Sequence, residues 1–133
     1  MTTASKPAIK PVVDGFMEKL NTNDFMGAIR AFYDDTIESV EPGTGSPEMP
    51  KIQKGIEAII QKNEWWMENH EIHQLWISEP MIGSTQFAIC YRIDVTFKPT
   101  GTRTTSEEVA VYTVENGKII KEMFFYDTAG QAA

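Results

Sequence analysis

The stretch TTSEEVAVYTVENGKIIKEMFFYD, Thr104–Asp127, decides the fold. Two runs rich in β-branched and aromatic residues flank Asn116-Gly117, the dipeptide that most favours a tight two-residue hairpin. Side chains alternate faces along a strand. In Thr104–Glu115, Glu108, Ala110, Tyr112 and Val114 therefore share a face opposite Glu107, Val109, Val111 and Thr113. In Lys118–Asp127, Glu122, Phe124 and Tyr126 oppose Lys121, Met123 and Phe125. An antiparallel sheet wetted on one side shows one apolar and one polar face. Here the acids share a face with large aromatics, so both faces are expected to be covered. Carboxylates on a covered aromatic face predict a pocket.

Outward from this hairpin the pattern continues. A third run, Gln86–Lys98, places Arg92 and Asp94 opposite Tyr91, Ile93 and Val95, and Pro99-Thr100-Gly101 turns it into the next strand. Glu71–Ser78 reads as a further strand and Pro80–Ser84 as a turn. The amino-terminal half is helical. Val12, Val13, Phe16, Met17 and Leu20 recur at helical spacing over Pro11–Thr22, with Gly15 a local cost. Asn23 and Asp24 are cap-type residues for a short helix with the stripe Phe25, Ala28, Ile29 and Phe32. Tyr33-Asp34-Asp35 turns into a strand over Thr36–Glu41, and the proline-rich Pro42–Pro50 reads as a loop long enough to form a lid or rim. A third helix is expected over Ile52–Asn69, its face traced by Ile52, Ile56, Ile59, Ile60, Asn63, Trp66 and Met67. That spacing points Trp66 inward and Trp65 toward the surface or a partner. Helix, helix, strand, helix and a train of antiparallel strands make an α+β fold, with three helices covering one side of a bent sheet.

Composition narrows the function. A chain of 133 residues reads as one domain, 1–133, with a core that needs no staples. A net charge of −7 without any basic stripe argues against nucleic acid. No apolar run approaches a membrane span, and no signal-like segment is visible, so a cytoplasmic location is expected. The single Cys90 allows no internal disulfide and is expected to pack as a small hydrophobe. His70 and His73 straddle a helix end and a strand start, where residues three apart face opposite ways, so no metal site and no cofactor are predicted. His70, beside Trp66, reads instead as a pocket residue able to change charge near neutral pH.

The whole chain resembles the nuclear transport factor 2-like superfamily and, within it, the SnoaL-like group. The resemblance rests on Phe32-Tyr33-Asp34-Asp35, on Glu41-Pro42, on Lys54-Gly55-Ile56-Glu57-Ala58-Ile59, and on Tyr112 through Ile120. It implies a strongly curved sheet wrapped around three helices in a cone whose pocket hosts unrelated chemistries. It also implies a homodimer through the outer sheet face, here Ile93, Val95, Val109, Val111, Met123 and Phe125. Around Glu41-Pro42 the chain is similar to ketosteroid isomerase, which implies a general base at Glu41. The positions matching that enzyme's oxyanion donors hold Phe16 and Ala110, and neither has a donor, so steroid isomerisation is not expected. Arg92-Ile93-Asp94-Val95 resembles the acid–base pair of limonene-epoxide hydrolase, implying catalytic roles for Arg92 and Asp94. The second acid of that enzyme matches Phe124, with Glu122 one strand repeat away on the same face.

These readings combine into one expectation. Asp94, Arg92 and Glu122 form the catalytic set. Glu41, Trp66, His70, Glu108, Tyr112, Phe124 and Tyr126 line a site for a small hydrophobic molecule. The function expected is ligand binding with acid–base chemistry of isomerase, cyclase or hydrolase type. A binding protein without turnover and a dimeric interaction module are the alternatives.

Overall fold

A computed structural model describes residues 8–47 and 49–128. Along the chain run α1 (Lys10–Asn21), α2 (Phe25–Phe32), β1 (Tyr33–Gly45), β2 (Pro50–Lys54), α3 (Ile56–Asn69), β3 (His70–Ile77), β4 (Met81–Ile82), β5 (Gln86–Phe97), β6 (Thr102–Glu115) and β7 (Lys118–Phe125). The sheet order is β2-β1-β7-β6-β5-β3, with the short β4 paired to β5. All neighbours are antiparallel except β1 and β7, which run parallel. The sheet is thus mixed, curved and unclosed, with the three helices completing an α+β fold.

Local chemistry accounts for the elements. Pro11 occupies the first turn of α1, where its missing N–H costs no hydrogen bond, and Val13, Phe16 and Leu20 bury one stripe. Gly15 is more than a helix weakness. A Cβ there would come within 2.4 Å of the Phe32 ring, so the glycine lets α1 and α2 approach. The Asp24 carboxylate accepts the Gly27 N–H at 2.9 Å and caps α2, an interaction typically worth about 1 kcal/mol. Asn116 and Gly117 both have positive φ, 53° and 76°, as a type I′ hairpin requires.

The expected loop and third-helix start are corrected. β1 runs on through Pro42 to Gly45, and the chain returns at once as β2, with Val40 opposite Ile52. Pro42 is tolerated because the β1–β2 register slips between Val40 and Gly45, so no regular ladder needs its absent N–H. Ile52 is therefore a half-exposed edge-strand residue, and α3 begins only after Gly55, at Ile56. Pro42–Gly45 and Pro50 of the expected loop belong to strands, so the loop is shorter than expected.

The core lies between the helices and the inner sheet face. Val13, Phe16, Ile37, Ile59, Phe87, Ile89 and Ile119 are almost wholly excluded from solvent. Phe16 meets Tyr112 edge-on at 5.0 Å and Phe87 at 5.7 Å, which fixes α1 on the sheet. Strand β7 is bulged. Tyr112 pairs with Glu122 and Thr113 with Lys121, but Val114 pairs with Ile119, so Ile120 is extra. The additional residue lets both Ile119 and Glu122 face inward, where strict alternation would put them on opposite faces.

Candidate functional site

Four neighbouring elements carry charged or hydroxyl side chains onto the inner face. β1 supplies Tyr33, Ser39 and Glu41, β7 supplies Glu122, Phe124 and Tyr126 just past its end, β6 supplies Glu108 and Tyr112, and α3 supplies Lys62. Ser39 sits directly opposite Glu122 across the parallel β1–β7 pair, which brings two buried polar residues together.

The hydrogen bonds form one continuous chain from Tyr33 to Tyr126. Glu122, buried, accepts from the Tyr33 phenol at one carboxylate oxygen and from Ser39 Oγ at 2.7 Å at the other. Ser39 Oγ in turn accepts from Lys62 Nζ at 2.8 Å. Lys62 Nζ pairs with Glu41 Oε1 at 2.5 Å, the two side chains being only 7% and 11% exposed. The other Glu41 oxygen accepts from the Tyr126 hydroxyl at 2.9 Å. The Lys62 ammonium also stands 5.1 Å from the centre of the Phe124 ring, a cation–π contact. Both buried acids thus accept at both oxygens, as buried charge requires.

Glu108 stands apart. It is half-buried and directly opposite Tyr91 on β5, and among the described residues its carboxyl has no hydrogen-bond partner. Burial, followed by the negative charge of Glu41, pushes its pKa up to about 7, with Lys62 opposing and Glu122 adding to the rise. Burial also raises the Glu122 carboxyl, against the pull of Lys62 and of its two hydroxyl donors. The Tyr91 and Tyr112 phenols, bonded to each other at 2.8 Å, are both raised, first by burial. The Tyr33 phenol is raised well above its ordinary value by burial and then by the Glu122 charge. The three phenols remain proton donors at any physiological pH.

The expected site is in part assembled and in part dispersed. Glu41, Glu108, Tyr112, Glu122, Phe124 and Tyr126 lie together as the strand alternation predicts. Arg92 and Asp94 do not join them, and the Asp94–Arg92–Glu122 set is corrected. In the β5–β6 register Arg92 lies opposite Glu107 and Asp94 opposite Thr105, on the outer face. There Arg92 pairs with Glu107, both side chains more than 60% exposed, and Asp94 pairs with Arg103 at 2.8 Å. The Arg103 guanidinium holds the Asp94 carboxyl below its ordinary range. The same parity turns Ile93 and Val95 inward and brings the exposed Cys90 out, reversing the expected placements of all three.

Trp66 and His70 form a separate aromatic group where α3 meets β3. Their rings stack at 4.2 Å and 10°, and His70 Nδ1 lies 2.8 Å from the Trp66 carbonyl. Phe97 packs on His70 at 5.1 Å, and Trp65, expected toward the surface or a partner, is half-buried against both. Burial lowers the His70 pKa below its ordinary value, against the opposing hydrogen bond to the Trp66 carbonyl, and so favours the neutral ring. Two open surface depressions, one beside Asp34 and Lys121 and one beside Phe25 and His73, contain none of the clustered residues. Among the described residues no three His, Cys, Asp or Glu side chains group as a metal site, and no helix is long and apolar enough to cross a membrane.

Sequence reasoning missed Lys62, Ser39 and Tyr33. Lys62 falls three residues after Ile59 and four before Trp66, on the buried stripe of α3, and a lysine at that spacing was the available signal. Ser39 precedes Glu41 by two on one strand, so alternation alone puts both on one face.

The fold and this cluster define a class. A model of the SnoaL-like domain matches residues 8–126, and the chain belongs to that family. A comparison with curated proteins finds no match. A Mesorhizobium loti protein, provisionally described as a SnoaL-like polyketide cyclase with carbohydrate phosphatase in brackets, is 40% identical, with a TM-score of 0.84 over 90% of this chain and 99% of its own. A Jannaschia protein with the same provisional cyclase description is 16% identical, with a TM-score of 0.73 over 98% and 99% of the two chains. A nuclear transport factor 2-like protein of unknown function from Burkholderia pseudomallei is 20% identical, with a TM-score of 0.72 over 90% and 91%. The last two likenesses concern the fold.

Proposed function

We propose that this SnoaL-like domain binds a small, largely apolar molecule against its inner sheet face and moves a proton on it, with Glu108 as the exchanging group. The observation that carries this reading is the contrast within the cluster. Glu41 and Glu122 are each held at both oxygens, whereas Glu108 has no hydrogen-bond partner among the described residues and a pKa near 7. A group poised near the working pH exchanges protons most effectively in both directions. Glu41 and Lys62 form the fixed charges beside it, and Phe124, Tyr112 and Tyr126 are the apolar and phenolic walls. The cyclase description of the 40%-identical Mesorhizobium loti protein is consistent with acid–base work on a carbon framework.

A readily enolised ketone tests the reading. With 2-tetralone in D2O, Glu108 takes a proton from the carbon beside the carbonyl, the C–H electron pair passes into the enolate, and deuterium returns to carbon. We expect protein-dependent deuterium incorporation, measured by mass spectrometry, to fall about a hundredfold in Glu108→Gln. No incorporation above buffer, or equal incorporation in the variant, contradicts the proposal.

We also propose that two copies pair through the outer face around Val109, Val111, Met123 and Phe125. Val109 and Phe125 are adjacent across strands β6 and β7, and both are exposed. Light scattering on Phe125→Glu is expected to show half the wild-type mass, and an unchanged mass refutes this pairing.

A further inference from the structure

Two phenols on the inner face carry more donors than the surrounding protein uses. Tyr91 and Tyr112 are almost fully buried, and their hydroxyls meet at 2.8 Å. Two hydroxyls bring two protons, and one contact consumes one of them. Neither hydroxyl has another hydrogen-bond partner among the described residues. Whichever phenol donates, the proton of the other is left without an acceptor in the protein. Buried donors in folded proteins are nearly always satisfied, so a surplus one calls for an explanation.

The position of the pair supplies one. Tyr91 lies directly opposite Glu108 across β5 and β6, and Tyr112 directly opposite Glu122 across β6 and β7. Glu122 accepts from Tyr33 and Ser39, and among the described residues the Tyr112 hydroxyl bonds to Tyr91 and not to Glu122. The surplus donor and the unpartnered carboxyl of Glu108 thus occupy neighbouring places on one face. The Tyr112 ring is held by its neighbours. Tyr112 stacks on Phe87 at 4.8 Å and meets Phe16 edge-on at 5.0 Å, which fixes the position of its hydroxyl oxygen.

We infer that the Tyr91–Tyr112 hydroxyl pair is the anchor for an acceptor oxygen of the ligand, a carbonyl oxygen, held beside Glu108. This inference rests on the proton-transfer reading above and adds the ligand group that the face recognises. A phenol that already accepts a hydrogen bond is a stronger donor, so the pair polarises that oxygen more than a single tyrosine does. The anchor differs from the positions of Phe16 and Ala110, which offer no donor, and it is supplied by strands β5 and β6.

The test uses the carbonyl stretching band of 2-tetralone bound to the whole protein, together with urea unfolding. In wild type and in Glu108→Gln the bound band is expected below its position in an apolar solvent. In Tyr91→Phe/Tyr112→Phe that displacement disappears and affinity falls about tenfold, the loss of one net hydrogen bond. Loss of exchange in Glu108→Gln with the band still displaced upholds both readings. A displaced band with exchange unchanged in Glu108→Gln removes Glu108 and keeps the anchor. A band at the same position in wild type and the double variant overturns the anchor, and so does the absence of any bound 2-tetralone. The double variant also reports on the proton count without a ligand. It is expected to unfold at a urea concentration no lower than either single variant, because removing both hydroxyls leaves no donor unpaired. A double variant less stable than both singles means that each phenol has its own partner in the protein, and overturns the inference.

Discussion

The two faces of this sheet carry similar charged residues to opposite effect. On the inner face Lys62 and Glu41 are 7% and 11% exposed, and on the outer face Arg92 and Glu107 are 62% and 68% exposed. Both pairs close to 2.5 Å. Distance therefore does not distinguish them, and surroundings do. Outside, water screens the charges and each side chain gives up freedom to hold the contact, so the pair contributes little. Inside, each charge has lost most of its hydration, and removing one partner strands the rest. The inner cluster is interdependent, while the outer pairs are separable decorations of a strand.

The strongest way to break that contrast is to remove the buried cation. Lys62→Met leaves Glu41 and Glu122 facing one another without compensation, and about 3–5 kcal/mol of unfolding free energy is expected to go at neutral pH. Arg92→Met is expected to cost a small fraction of that, and equal losses in parallel urea titrations would erase the distinction between the faces. A narrower change is Glu122→Gln. The amide keeps one acceptor oxygen and turns a donor toward the other hydroxyl, leaving Tyr33 or Ser39 unsatisfied. A loss of about 1–3 kcal/mol is expected by the same titration, and an unchanged midpoint would mean that the buried carboxylate is not held as described.

Glu108→Gln sharpens the comparison through pH. Its folded pKa lies near 7, above the ordinary value of 4.5. Between those values the folded state holds the proton more tightly than the unfolded chain does, so stability from this group falls as pH rises through the window. The glutamine variant is expected to match wild type near pH 4 and to exceed it by on the order of 2 kcal/mol at pH 8. Unfolding curves that stay parallel at the two values would contradict the raised pKa. The smallest effect is expected at Asp94→Asn. The residue lies on the outer face against Arg103, so deuterium exchange into 2-tetralone should be unchanged. A loss of exchange would return Asp94 to the chemistry.

The fold was legible because its decisive signals are local. Asn116-Gly117 names its own turn, Asp24 its own cap, and alternation sorts core from surface within Glu108–Val114 and within Glu122–Tyr126. The same alternation already placed Arg92 and Asp94 opposite Tyr91, and Tyr91 is the inner residue. The resemblance to an epoxide hydrolase motif outweighed that simple parity, and the catalytic set was misplaced for that reason. Lys62 escaped because a helical stripe was traced through its apolar members, whereas a lysine is buried when carboxylates on another element await it. Those partners come from strands 21 residues before Lys62 and 60 residues after it, at Glu41 and Glu122, so no local window contains them. The bulge at Ile120 is likewise a property of two paired strands and leaves no mark in either one alone.

The most direct test of a proton-exchanging inner face is the carboxyl 13C chemical shift of Glu108, followed by NMR from pH 4 to pH 9. A titration midpoint of about 7 is expected, set by burial and by the neighbouring Glu41 charge. A midpoint near the ordinary 4.5 would mean that Glu108 is a wet surface acid, and the inner face would lose its proton-exchanging group.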